Sequence, residues 1–192
     1  RENIPTFHVM AQFTTPLVKN VLILDSEGER ILCKYYETDE RKTLEAQHAY
    51  EKAIHQKTSK SSARSEADII IFEHGISVFI HVGDVAFFVT GSVHENEMVL
   101  EAILNGLVDS LARIFKDNVE KRMLIENMDI LYLTIDEIID HGIVLETDPD
   151  DIVARVSLRG TEGDGPSGAS EVEQTVSRAV SSAKSVLARF VK

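Results

Sequence analysis

Residues 135–151, IDEIIDHGIVLETDPDD, hold seven carboxylates and one histidine around aliphatic side chains. Carboxylates that converge bind a divalent cation, and a carboxylate beside a histidine moves protons. Both chemistries need those groups gathered in one shielded cleft. A helix would instead disperse them. Leu131, Ile135, Ile138 and Ile139 would share one face at i, i+4, i+7 and i+8, and Asp136, Glu137 and Asp140 would point to water. Glu137 and His141 would sit one turn apart near the helix end, where Gly142 suits the left-handed position that follows it. Asp148 is a good N-cap and Pro149 a good first helical residue. Asp150 and Asp151 complement the positive helix start. Ordinary folding work therefore accounts for every acid here except Glu146.

The other reactive side chains show no catalytic spacing. Histidines stand at 8, 48, 55, 74, 81, 94 and 141, none in an HExxH arrangement. His48 and His55 fall two turns apart on one predicted helix, a poor metal signal. No P-loop, dinucleotide fingerprint or CxxC pair is present. The single cysteine, Cys33, sits in an apolar strand pattern and reads as a buried, inert thiol. It fits a reducing compartment. No catalytic, cofactor-binding or metal residue is assigned, and the chain reads as non-enzymatic. A net charge of −12 disfavours nucleic acid and anionic lipid as direct partners. No apolar run reaches the ~18–20 residues of a membrane helix, and the opening residues do not read as a secretory signal. Any work at a membrane needs another protein to bring this one there.

The elements behind these residues follow from periodicity. Residues 1–16 are expected to be a weakly structured leader, with Pro5 and Pro16 against regular structure and Met10 as an alternative start. LVKNVLIL (17–24) and RILCKYY (30–36) flank DSEGE as a β-hairpin. Residues 42–57 turn helical, with Leu44, His48 or Ala49, and Ala53 as the inner stripe. The Ser-rich connection 58–67 is expected to be mobile. Strands at 68–72, 76–82 and 85–91 have short links and form an antiparallel meander. A buried helix starts at Glu95, with Val99, Ile103, Leu107, Leu111 and Ile114 or Phe115 inward and Met98, Leu100, Leu104 and Val108 widening the stripe. Residues 119–127 and 128–140 read as two helices or one broken helix, and 149–158 as a short one. The domain is thus bounded at 17–159, followed by a flexible linker at 160–169 and a C-terminal helix at 170–192. That helix opens with a Ser170/Glu173 capping box and carries a narrow apolar seam suited to docking on its own domain or, as the alternative, on a partner. The class is α+β: an α/β sandwich with one five-stranded sheet between helices.

Five stretches in register carry a resemblance: VLILDSEGERILCKYY, HENEMVLEAILNGLVDSL, NVEKRMLIENMDILYLTIDEIID, GIVLETDP and EQTVSRAVSSAK. Together they resemble the coatomer zeta family, the small chains of the COPI vesicle coat, related to the small sigma chains of clathrin adaptors. The resemblance runs from about Leu17 to the C-terminus. It implies a longin-like five-stranded antiparallel or mixed sheet flanked by helices, with additional C-terminal helices, and no cofactor. It also implies a partner, the gamma subunit of coatomer. Arf-GTP would recruit the assembled coat to the cytosolic face of Golgi membranes for Golgi-to-ER and intra-Golgi transport. The leader 1–16 is not part of the family pattern, and His141 stands where a member would commonly have glycine. No motif licenses carrying over the dileucine-signal pocket of the adaptor small chains. The candidate partner surface lies in the 95–127 region, where Lys121, Arg122, Glu126 and Asn127 would frame Leu124 and Ile125; the alternative is that Leu124 and Ile125 are internal core. Three rival readings are another clathrin-adaptor sigma-like trafficking protein, a longin-domain SNARE-type protein, which needs a longer heptad coil and an anchor, and a hydrolase with a site assembled across the fold.

Overall fold

The computed structural model describes residues 18–36, 43–61, 63 and 66–160. The expected leader 1–16, the linker from 161 and the helix 170–192 lie outside the described residues. The chain divides into two units, Arg1–Ser157 and Leu158–Lys192. All the strands described below belong to the first.

The hairpin forms as β1 (Val18–Asp25) and β2 (Arg30–Tyr35). The meander forms as β3 (Asp68–Phe72), β4 (Gly75–Val82) and β5 (Val85–Ser92). Hairpin and meander join through the pairing of β1 with β5, so one sheet runs in the order β2-β1-β5-β4-β3. Every neighbouring pair in it is antiparallel. The continuous run VLIL in β1 reflects burial on both faces, where alternation of polar and apolar residues has no use. Val21 and Ile23 join Val78, Phe87 and Val89 in the larger core, and Leu22 and Leu24 join Phe79 and Phe88 in the smaller one.

The first helix, α1 (Leu44–Thr58), covers the smaller core, and its inner stripe differs from the expected one. Leu44 is 60% exposed, whereas Tyr50, Ile54 and Thr58 are buried one turn apart. The sheet explains the choice. Asn20, Thr90 and Ser77 are in-register neighbours across β1, β5 and β4 and make a polar row on this face. Ser77 and Thr90 hydroxyls lie 2.8 Å apart, and the Tyr50 hydroxyl reaches Thr90 Oγ1 at 3.3 Å. An alanine at 49 or 53 offers neither the reach nor the hydroxyl. Part of the connection expected to be mobile is also fastened. Ala63 is buried, and its carbonyl accepts from the His81 N–H at 2.7 Å.

The larger core is roofed by α2 (Glu97–Ile114). Its N-cap is Asn96, whose side chain accepts from the Met98 N–H at 2.9 Å, so the helix begins two residues after the predicted Glu95. Leu100, Ile103, Leu104, Leu107 and Leu111 are buried, and Met98 faces outward. Two short helices, α3 (Lys121–Glu126) and α4 (Met128–Ile138), follow, as does α5 (Pro149–Gly160). Leu124, Leu131, Ile135, Ile152 and Val156 complete this core. Gly106 is buried in α2 because the chain passes close over it: a Cβ there would lie 2.6 Å from the Thr147 carbonyl oxygen. Gly106→Ala should force that backbone away and lower unfolding stability by about 1–3 kcal/mol in urea titration. A neutral result would show that the 145–148 segment is not packed on α2.

Candidate partner surface

The six residues singled out at 121–127 separate once α3 forms. Leu124 is fully buried in the larger core, so of its two readings the internal one holds and the surface one is corrected. A helix turns ~100° per residue, so with Leu124 turned inward its neighbour Ile125 is carried outward and is 51% exposed. Asn127 is spent on the backbone: its Nδ2 donates to the Met123 carbonyl at 2.8 Å, at the junction of α3 and α4. Lys121, Arg122, Ile125 and Glu126 remain together and, with Asp84, line a cleft of about 360 Å³. Arg122 Nε donates to Glu126 Oε1 at 2.8 Å along the helix. The cleft is an exposed apolar side chain with charges at its edge.

Lys121 has a second task. Its Nζ donates to Asp25 Oδ2 at 2.7 Å, and its N–H donates to Asp84 Oδ1 at 2.9 Å. Asp25 is buried, and its Oδ1 accepts from the Glu27 and Glu29 N–H groups at 2.9 and 2.8 Å. Burial works to raise the Asp25 pKa, but the Lys121 ammonium and those two N–H groups hold it below the ordinary carboxylate value. The bond to Asp25 likewise holds Lys121 above the usual lysine value. The part of Asp25 that sequence reveals is the turn: an Asp before Ser-Glu-Gly accepts from the backbone two residues on. Its partnership with Lys121 joins residues far apart in sequence and leaves no local mark.

The acidic stretch 135–151 resolves into separate structural jobs. Asp136 ion-pairs with Lys34. Glu137 is buried, not water-facing as expected. Thr134, one turn before it, is buried as well, because α4 packs against α2 and has a narrower wet side than a surface helix. The helix stops at Ile138. Residues Ile139–Asp140 (β6) and Ile143–Val144 (β7) pair as a small hairpin. His141 and Gly142 form its turn with φ of +48° and +80°. This corrects the expected helix end. Two positive-φ residues between paired strands make a type I′ turn, not a helix cap. The Gly142 carbonyl accepts from the Val18 N–H at 2.9 Å, which pins the hairpin to the start of β1.

Beyond the hairpin, Asp148 is the N-cap as expected, accepting from the Asp150 N–H at 2.8 Å. Glu146 gains the role that sequence left open. Its Oε1 accepts from the Thr147 and Asp148 N–H groups at 2.9 and 3.1 Å, and its Oε2 from Arg155 at 3.2 Å. The two N–H donors hold Glu146 below the usual carboxylate pKa. Asp150 pairs with Arg113. Among the described residues, no group of three or more His, Cys, Asp or Glu is placed to hold a metal ion. Burial pushes the half-buried Cys33 thiol above its usual value, away from reactivity.

Known proteins resemble the chain over this whole arrangement. The family model for the clathrin adaptor complex small chain matches residues 17–163. Coatomer subunit zeta-2 of Arabidopsis thaliana is 43% identical over 180 residues, which cover 94% of this chain and 98% of the relative. Coatomer subunit zeta-1 of Homo sapiens is 44% identical over 167 residues, 87% of this chain and 88% of the relative. The chain belongs to the coatomer zeta group of the adaptor small-chain family. A chain in a homology model of the full-length AP-3 complex in a stretched open conformation shares the fold at 20% identity. Its TM-score is 0.62, over 76% of this chain and 95% of that one. The sheet order and helix placement are therefore those of a longin-like adaptor small chain.

The Asp25–Lys121 pair makes stability pH-dependent with a definite sign. A carboxyl held below its unfolded value stabilises the fold above that value, ~3.9, and loses the contribution as pH falls through the folded one. Lys121→Met should move the acid-unfolding midpoint, followed by circular dichroism, to higher pH. Arg122→Met, whose partner Glu126 is 52% exposed, should leave it in place. Equal midpoints for the two variants would show that Asp25 does not depend on Lys121.

Proposed function

We propose that this chain is the small structural subunit of a COPI-type vesicle coat and pairs permanently with the gamma subunit of coatomer. One observation carries the reading: identity of 43–44% to coatomer zeta subunits from plants and mammals, running through nearly the whole length of both chains. On this reading the chain transforms no substrate and needs no cofactor. It lends a folded face to a larger subunit. The assembled coat, recruited by an Arf GTPase carrying GTP, acts on the cytosolic face of Golgi membranes in Golgi-to-ER and intra-Golgi transport. No helix of the described residues is long and apolar enough to cross a membrane, which is compatible with arrival as part of a complex.

Part of the partner face is the cleft beside α3. Ile125 supplies an apolar centre, and Arg122 and Glu126 a charged rim, the usual arrangement of a specific interface. Leu124 supports this face from beneath, and Asn127 holds the end of α3. Lys121 is unsuitable as a probe of binding. Reversing its charge would leave Asp25 buried beside a second carboxylate and disturb the fold itself.

Two measurements test the proposal. Tagged chain recovered from cytosol should carry a gamma-type coat subunit at near one-to-one stoichiometry by quantitative mass spectrometry. A chain that stays alone sinks the coat assignment. Arg122→Glu combined with Ile125→Asp should cut that capture by about tenfold or more while the melting curve stays in place. Undiminished capture would remove the α3 face and leave the subunit assignment standing.

A further inference from the structure

β3 forms one edge of the sheet, and β4 is its partner among the described residues. Two of its isoleucines face outward, Ile69 at 46% and Ile71 at 71% exposure. They oppose Val78 and Ile76 in register, so they extend the larger core face past the cover of the helices. The turn Glu73–His74 fixes the bonding parity. In a two-residue hairpin the flanking residues exchange both backbone bonds, and the pattern then alternates. Phe72, Ile70 and Asp68 therefore bond to β4, and the backbone groups of Ile69 and Ile71 aim away from the sheet. The Ile69 N–H is taken up instead by its neighbour's own side chain, Asp68 Oδ1, at 2.8 Å. An outward, apolar, β-branched edge of this kind is a template for another strand.

We propose that the strand it takes is β3 of a second copy of this chain, antiparallel, with the two-fold axis through Ile70. The edge is complementary to itself in that register. Ile69 faces Ile71 of the second copy and Ile71 faces Ile69. The N–H and C=O groups that point outward are then the ones that meet, the Ile69 N–H exchanging Asp68 Oδ1 for the Ile71 carbonyl of the second copy. Both copies' exposed isoleucines lie on the same face and close into one apolar cluster. Asp68 opposes Phe72, so within the strand no like charges stand directly across from each other. Sliding the pair towards the turn fails, because Glu73 at φ +52° ends the extended backbone. Sliding it the other way sets Ile71 against Ala67 and loses the isoleucine cluster. Each copy contributes the same patch, as a closed two-fold contact requires. One strand pair is a small interface, below ~1,200 Å², so the association is weak and rises with concentration. It stands apart from the coat reading, since the edge is present whether or not the α3 face finds a partner.

Sedimentation velocity of the full chain, from about 1 to 200 μM, is the test suited to so small a contact. The expected result is a shift from one copy towards two as concentration rises. Ile71→Lys, at an exposed position, should abolish that shift without changing the melting curve. In a Cys33→Ser background, Ile70→Cys should form an intermolecular disulfide on mild oxidation. Directly facing residues of a non-hydrogen-bonded antiparallel pair have Cα atoms ~4.5 Å apart, within disulfide reach. A chain that sediments as one copy throughout overturns the proposal. So does a dimer that Ile71→Lys leaves intact, or a folded Ile70→Cys chain that dimerises and does not cross-link. If Ile70→Cys fails to fold, Ile71→Lys decides alone.

Discussion

The carboxylate of Asp25 holds three parts of the molecule in register. One oxygen closes the turn between β1 and β2 by accepting from Glu27 and Glu29. The other binds Lys121, the first residue of α3. Asp84, in the link between β4 and β5, accepts the Lys121 backbone N–H. The start of α3 is thereby fixed over one end of the sheet, and that placement decides which side chains line its cleft. A buried carboxylate without such partners would be costly, and burial alone would favour its neutral form. Here the ammonium and two N–H donors outweigh burial, so the charge is kept. The exposed cleft and the fold under it therefore depend on the same contact.

The two faces of the sheet are held by different physics. The larger core is a broad packing of aliphatic side chains from α2, α4 and α5 against the strands. The smaller one has α1 above a polar row, and much of its fastening is polar. Arg30 Nε donates to Glu51 Oε2 at 3.0 Å, and the Tyr35 hydroxyl donates to Glu51 Oε1 at 2.9 Å. Burial, followed by the Glu51 charge, pushes the Tyr35 hydroxyl well above its ordinary pKa, so it remains a donor. Such contacts need correct geometry to be worth their desolvation, whereas apolar packing tolerates adjustment. The α1 face is thus the more exacting half of the fold.

Elements with a strong period were legible in the sequence. The hairpin and the meander announce themselves through short continuous apolar runs between turn residues, and α2 through apolar residues at steps of about 3.6. The family resemblance supplied the fold by name, and the chain belongs to that family. What failed was direction. Periodicity points α1 inward at Leu44, His48 or Ala49, and Ala53, because it does not register that Tyr50 has a hydroxyl to place. Glu137 was sent to water because a charge usually marks a wet face, and no local rule tells that α4 is covered by α2. His141 and Gly142 fit a helix end in sequence, since a glycine after helical residues suits a cap as well as a hairpin. At the candidate surface the composition of the patch was visible. The split between Leu124 and Ile125, and the tie of Lys121 to Asp25, depend on contacts across the fold that no window of sequence contains.

The bond from the Val18 N–H to the Gly142 carbonyl has a temporal consequence. These residues are 142 − 18 = 124 positions apart, so the first strand is latched at its outset by nearly the last part of the domain. At ~5–20 residues per second, a ribosome needs roughly 6–25 s to span that interval. Throughout it, the apolar hairpin has emerged without its final fastening. Until Ser92 is made β1 has no complete β5 to cover its second edge, and until Gly142 is made its first residue has no latch. Whatever shields it during that interval, a chaperone or an early companion, bears on how much of the protein a cell obtains.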